Sequence, residues 1–228
     1  MKAPINEIFS SIQGEGILIG HRQIFLRFSG CDLNCEYCDT PHNNYTEISL
    51  EEIVRLILNL ETEIKHQAIS FTGGEPLLYN DFIKELILIL KQKTELKFYL
   101  ETGGHRPDKL IDIINYIDYV SFDLKLPSIL KSKDLWEEHK EFIKIINNAN
   151  KASYAKIVIE EKSTYEEIIK ACKLLENYNN IELVLQPVYS NYPCPLSHIL
   201  KIEKLCSEIL GRARIRVIPQ IHRILGIR

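Results

Sequence analysis

The chain has 228 residues, 45% hydrophobic and 26% charged, with 28 Lys and Arg against 31 Asp and Glu and a formal net charge of −3. That balance belongs to a globular α/β-sized protein with enough apolar material for a real core, and no block of Lys and Arg points to nucleic acid. The longest apolar run, Leu86 to Leu90, is far too short to span a bilayer, and Met1-Lys2-Ala3-Pro4 opens without a signal core, so no membrane association and a cytoplasmic location are expected.

In chain order, Ile5 to Ile12 leads into Gln13-Gly14-Glu15-Gly16, where the spacing alone suggests a tight turn between two short strands. His21 to Phe28, rich in aromatic and branched residues, predicts a strand that runs directly into Cys31-Asp32-Leu33-Asn34-Cys35-Glu36-Tyr37-Cys38-Asp39-Thr40. Ser49-Leu50-Glu51-Glu52 reads as a capping box opening a helix, with apolar residues at Ile53, Leu56, Ile57 and Leu60. Strands are predicted at 68–71, 97–101, 119–124, 155–159, 181–185 and 214–218. Helices are predicted at 80–93, 107–115, 134–148, from a Ser163–Glu166 capping box to about 177, and at 196–210 before the stop at Gly211. Cys172 and Cys206 read as small core residues on helices, while Cys194 has no assignment.

Strand–helix alternation repeated about six times implies parallel strands with right-handed crossovers. A closed eight-unit barrel takes about 250 residues, so the expected fold is α/β: a partial, open (β/α)6 TIM-like barrel, parallel strands with helices outside and a lateral opening. One domain spans 1–228, divided into an N-terminal extension (1–20), a core (21–187) and a C-terminal segment (188–228).

Three cysteines within eight residues, spaced C-x3-C-x2-C, are odd in number and so cannot all pair as disulfides. They suit one inorganic object. Three thiolates can hold three corners of a cubane iron–sulfur cluster and leave the fourth iron open. With His42 as a fourth ligand they could instead hold zinc, and the spacing does not separate the two. The other strand ends carry Thr72-Gly73-Gly74-Glu75-Pro76, Glu101-Thr102-Gly103-Gly104, Ser121 to Lys125, and Gln186-Pro187. In a parallel barrel all of these share one rim with the cysteines, which argues for an enzyme. Gly73-Gly74-Glu75 offers carbonyl and carboxylate acceptors suited to an ammonium group; by itself it is also an ordinary strand-to-helix turn. Taken singly, Glu101, Ser121, Asp123, Lys125 and Gln186 read equally well as salt bridges or caps, and Arg27 reads as a strand-edge salt bridge.

The cysteine loop, with the aromatic Tyr37 before its last cysteine, and the Gly-Gly-Glu-Pro segment one β-α unit later resemble the radical S-adenosylmethionine (radical SAM) enzymes. Ile8-Phe9 to Gln13-Gly14-Glu15-Gly16, then Leu26-Arg27-Phe28-Ser29-Gly30-Cys31, then Cys38-Asp39-Thr40, resemble in order the 7-carboxy-7-deazaguanine synthase family. Glu101 to Gly104, Asp123-Leu124-Lys125 and Gln220 to Gly226 continue the match, with Gly104 and Arg223 standing where the family more often has Asn and Lys.

The resemblance implies a [4Fe–4S] cluster on Cys31, Cys35 and Cys38, with S-adenosylmethionine bound by Tyr37, Cys38, Asp39, Gly74, Glu75, Glu101, Ser121, Asp123, Lys125 and Gln186. It implies magnesium on Thr40 and a pterin substrate held by Ile12, Gln13, Gly14, Glu15, Arg27, Thr72 and His222, Arg27 taking its carboxylate. No side chain is assigned a catalytic role, since the radical chemistry lies with the cluster and its cofactor. The implied reaction is ring contraction of 6-carboxy-5,6,7,8-tetrahydropterin to 7-carboxy-7-deazaguanine with loss of ammonia, a lyase step toward queuosine. The implied partners are a reductant such as flavodoxin or ferredoxin and a second copy, as a homodimer. Two alternatives are a radical SAM activase of a glycyl-radical enzyme and a non-enzymatic zinc or electron-transfer module.

Overall fold

A computed structural model describes residues 1–38, 44–130, 134–189 and 194–227. Nine strands form one sheet: β1 (Lys2–Ile12), β2 (Arg22–Phe28), β3 (Thr46–Ser49), β4 (Ala68–Gly73), β5 (Lys97–Thr102), β6 (Tyr119–Asp123), β7 (Ala152–Ile159), β8 (Ile181–Pro187) and β9 (Ile215–Val217), in the order β3-β1-β2-β4-β5-β6-β7-β8-β9. From β2 to β9 every neighbouring pair is parallel. The helices are α1 (Leu50–Glu63), α2 (Asn80–Leu90), α3 (Pro107–Ile113), α4 (Pro127–Leu130), α5 (Trp136–Asn148), α6 (Tyr165–Leu175), α7 (Leu196–Leu210) and α8 (Ile221–Leu225). β3 and β9 are the two ends of the sheet, so the barrel is open, as expected.

Each β-α unit forms for local reasons. α1 is capped by Ser49, whose hydroxyl accepts from Glu52 N–H, and it turns Ile53, Val54 and Ile57 inward. α6 is closed by a full capping box between Thr164 and Glu167, one residue later than the expected Ser163–Glu166 pair; Ser163 instead donates no cap to α6, and its hydroxyl accepts from Glu160 N–H. The central strands alternate: one face is apolar and packs under the helices, while Glu101, Ser121 and Asp123 of the other face line the barrel interior. Ile69, Phe71, Phe98, Leu100, Val120 and Phe122 are all buried. Cys172 on α6 and Cys206 on α7 are buried in this core, and Cys194 is buried ahead of α7.

The N-terminus departs from the expectation of a turn between short strands. β1 is eleven residues long and pairs antiparallel with β2 on one side and with β3, which was not foreseen, on the other. It is an integral strand of the sheet. Its pairing with β2 sets Glu7 opposite Arg27, and it delivers Gln13 to Gly16 to the rim where the parallel strands end.

Candidate active site

The cysteine loop leaves the end of β2 and is anchored on three sides. Gly74 N–H donates to Phe28 O at 3.1 Å and Glu75 N–H to Gly30 O at 2.9 Å. A Cβ on Gly74 would lie 1.9 Å from Gly30 O, and one on Gly73, at φ +125°, 2.1 Å from Phe28 O. The two glycines therefore let β4 press its backbone against the start of the loop. From the far side Asp32 accepts from His105 Nε2 and Arg106 Nη1, both at 2.8 Å. Burial opposes its ionisation, but these two donors hold its carboxyl below the usual range.

Glu75 is buried at the floor. It accepts from Leu77 N–H, the Thr102 hydroxyl and Gly103 N–H at 3.0, 2.7 and 2.8 Å. Thr102 in turn accepts from Gly104 N–H, which leaves its own proton for Glu75. Burial raises the Glu75 pKa against His105, Thr102 and the two backbone donors. Because two of those donors are backbone N–H groups, the site is built to receive a carboxylate.

The wall opposite is a line of alternating charge. Lys125 Nζ donates to Tyr37 OH at 2.8 Å and to Asp123 Oδ2 at 2.6 Å. Lys156 Nζ lies 3.3 Å from Asp123 Oδ1 and donates to Glu15 Oε2 at 2.7 Å. Gln220 Nε2 donates to Glu15 Oε1 at 2.8 Å. The series thus runs from the cysteine loop to the C-terminal segment. Burial alone would neutralise these groups; instead Lys156 brings the Glu15 pKa down to about 2, and Asp123 with Glu15 keeps Lys156 protonated. Glu101 accepts from Gln13 Nε2 at 3.0 Å and from Ser70 Oγ, and burial raises its pKa. Beneath the line, His139 Nδ1 donates to Gly104 O at 2.8 Å and its Nε2 accepts from Lys125 N–H at 3.1 Å. Burial lowers its pKa to about 4.

These elements enclose a cavity of about 270 Å³ lined by Cys31, Cys35, Cys38, Tyr37, Gly74, Glu75, Glu101, Ser121, Asp123, Lys125 and Gln186. The same cavity is lined by Ile12, Gln13, Gly14, Glu15, Arg27, Thr72 and His222. Every expected site residue that the structure describes therefore meets in one place; Asp39, Thr40 and the alternative zinc ligand His42 lie outside the described residues. Arg27 combines both readings, since its Nε donates to Glu7 Oε1 at 2.9 Å while the side chain lines the cavity. Lining residues with no functional reading from the sequence include Lys156, Phe25, Val158, Val188 and Tyr189. Gln220, which opens the C-terminal stretch of the family match, carries the hydrogen bond to Glu15. The one signal for Lys156 was a basic residue in an otherwise apolar strand.

The donor set fits an iron–sulfur cubane. None of the three loop cysteines is in a disulfide, and all three face the cavity. Burial pushes the Cys31 thiol up to about 11 and raises that of Cys35, so loading of a metal group there must displace protons. Among the described residues no three His, Cys, Asp or Glu side chains stand at single-ion spacing. A cubane places each cysteine on its own iron.

Residues 26–187 match the Radical SAM superfamily, so the open barrel with its cysteine loop defines a radical SAM protein. Such proteins carry a [4Fe–4S] cluster and use S-adenosylmethionine. The chain is 35% identical to a 7-carboxy-7-deazaguanine synthase of Geobacter sulfurreducens, over 98% of this chain and 97% of that one. It is 36% identical to those of Methanocaldococcus jannaschii, over 98% and 99%, and Archaeoglobus fulgidus, over 100% of both. Among solved structures, QueE from Escherichia coli superposes with a TM-score of 0.65 at 19% identity, over 96% of this chain and 94% of that one. The chain belongs to the 7-carboxy-7-deazaguanine synthase family.

Proposed function

We propose that this protein converts 6-carboxy-5,6,7,8-tetrahydropterin to 7-carboxy-7-deazaguanine and ammonia, acting as a carbon–nitrogen lyase on the way to queuosine. The observation that carries the reading is the convergence of two residue sets on one cavity: the cysteine loop with Gly74 and Glu75, and Gln13 to Glu15 with Arg27 and Thr72. When bound, the cluster and S-adenosylmethionine supply a carbon-centred radical. The chain's own residues would do the rest. Cys31, Cys35 and Cys38 would hold the cluster. Backbone acceptors at Gly74 and the remaining lone pair of Glu75 receive its ammonium group; Tyr37, Cys38, Asp39, Glu101, Ser121, Asp123, Lys125 and Gln186 serve the rest of that cofactor.

Arg27 offers its remaining guanidinium donors to the substrate carboxylate while Glu7 holds the other edge. Ile12 to Glu15, Thr72 and His222 hold the pterin rings. Thr40, beside the loop, would supply a hydroxyl to magnesium, which takes few protein ligands and keeps substrate oxygens and water. The working protein is a homodimer of single-domain chains in the cytoplasm, reduced by a flavodoxin or ferredoxin.

The test is an anaerobic assay with the carboxytetrahydropterin, S-adenosylmethionine, magnesium and a chemical reductant. Appearance of the deazaguanine chromophore is the expected result; intact pterin beside a reducible cluster would sink the assignment. In the Thr40→Ala variant, magnesium dependence should weaken more than cofactor affinity, and an unchanged magnesium response removes Thr40 as a ligand.

A further inference from the structure

Lys156 is a buried cation in the cavity wall that the cofactor and substrate assignments above leave unused. It projects from β7 directly opposite Asp123 of β6, and its ammonium contacts Asp123 Oδ1 and Glu15 Oε2. An ammonium has three donors and no acceptor. Two are engaged by these carboxylates, and the group lines the cavity, which leaves one donor for a bound molecule. Beside it, one oxygen of Glu15 accepts from Lys156 and the other from Gln220, and each oxygen has a second lone pair. The pair therefore offers a charged donor next to two acceptor positions. A 2-amino-4-oxopyrimidine edge carries the complement: one carbonyl acceptor followed by two N–H donors.

We propose that Lys156 is a substrate-recognition residue that donates to the C4 carbonyl of the pterin, while Glu15 takes the adjacent ring N–H and 2-amino group. The assignment rests on the reading of the substrate above. It makes Lys156 the residue that selects a 4-oxo over a 4-amino ring. A 4-amino group would aim its own donors at an ammonium that cannot accept, a mismatch that leaves buried polar groups unpaired.

The test measures binding to the cluster-loaded protein with S-adenosylmethionine and no reductant, so that nothing turns over. The fluorescent, oxidised pterin-6-carboxylate is compared with its 2,4-diamino counterpart on the wild-type chain and on Lys156→Gln. The wild type is expected to prefer the 4-oxo ligand by about tenfold or more. The glutamine can turn its carbonyl toward a 4-amino group, so its preference should shrink several-fold or invert. An equal preference in both chains overturns the contact to Lys156, and so does a wild type that binds both ligands equally. A wild type that binds neither overturns the pterin reading itself, a distinct outcome.

One measurement needs no variant and stands even where the glutamine chain does not fold. The C4 carbonyl stretch of the ligand bound to the wild type, identified by oxygen-18 substitution, should fall below its value in water. A stretch at or above that value removes the ammonium as donor.

Discussion

Gly74 shows how a motif can serve packing and ligand binding at once. Its missing Cβ is where Gly30 O sits, and its N–H ties that same turn to Phe28 O. A methyl group there must push the first residue of the cysteine loop outward. We expect Gly74→Ala to cost about 1–3 kcal/mol of stability and to lose much of the iron retained on anaerobic purification. Wild-type iron content in that variant would refute the packing argument. Cys35→Ala leaves two thiolates for a cubane; iron content and activity should both vanish, and a variant that still holds iron and turns over removes Cys35 as a ligand. The cysteines, Gly74 and Glu75 were legible in the sequence because their spacing is local. Lys156 was not, because its meaning arises from Asp123 and Glu15, which reach it only through strand register and a turn from the far end of the chain.

His139 displays the logic of an element joined to its neighbour. It sits on α5 and bridges the carbonyl after β5 to the amide after β6, so one neutral imidazole fixes two rim loops. Its folded pKa of about 4 lies below the ordinary 6.5. The unfolded chain therefore binds the proton more readily. Stability from this group is complete above pH 6.5 and is lost as pH falls toward 4. Chemical denaturation at pH 7 and pH 5 should show that loss in the wild type and a smaller one in His139→Gln. Equal losses would show that the imidazole titrates freely. His139→Leu should cost about 2–4 kcal/mol at pH 7, because Gly104 O and Lys125 N–H lose their partner; a cost near zero removes the bridge from the account. The parallel strands and their helices were legible because each carries its own apolar pattern and caps. β3 escaped because four residues of which three are charged or hydroxylic, Thr46-Glu47-Ile48-Ser49, carry no pattern until β1 lies beside them.

At the scale of the whole molecule the cavity is assembled from both ends of the described chain. Gly14 O accepts from Ile221 N–H at 2.9 Å, and Gln220 reaches Glu15. A Cβ on Gly14 would lie 2.6 Å from His222 Nδ1, so the first glycine of Gln13 to Gly16 is small because α8 docks there. Deleting residues from Gln220 onward should leave the barrel, its melting behaviour and its iron content nearly intact while weakening pterin-6-carboxylate binding by tenfold or more, roughly 1.4 kcal/mol or above. Unchanged affinity would mean that this segment only packs. The sequence could suggest that Gln220 and His222 mattered, but not that they touch residues 13–15, since nothing local in either stretch refers to the other.

Glu15 and Gln220 are separated by 205 positions along the chain. Non-local closure of that kind comes late. During synthesis β1 to β9, α1 to α7 and the cysteine loop are all made before the last wall exists. A nascent or stalled chain that ends short of Gln220 thus lacks the contacts that α8 and Gln220 make to Gly14 and Glu15. Sealing the cavity for a pterin is left to the last residues to be made.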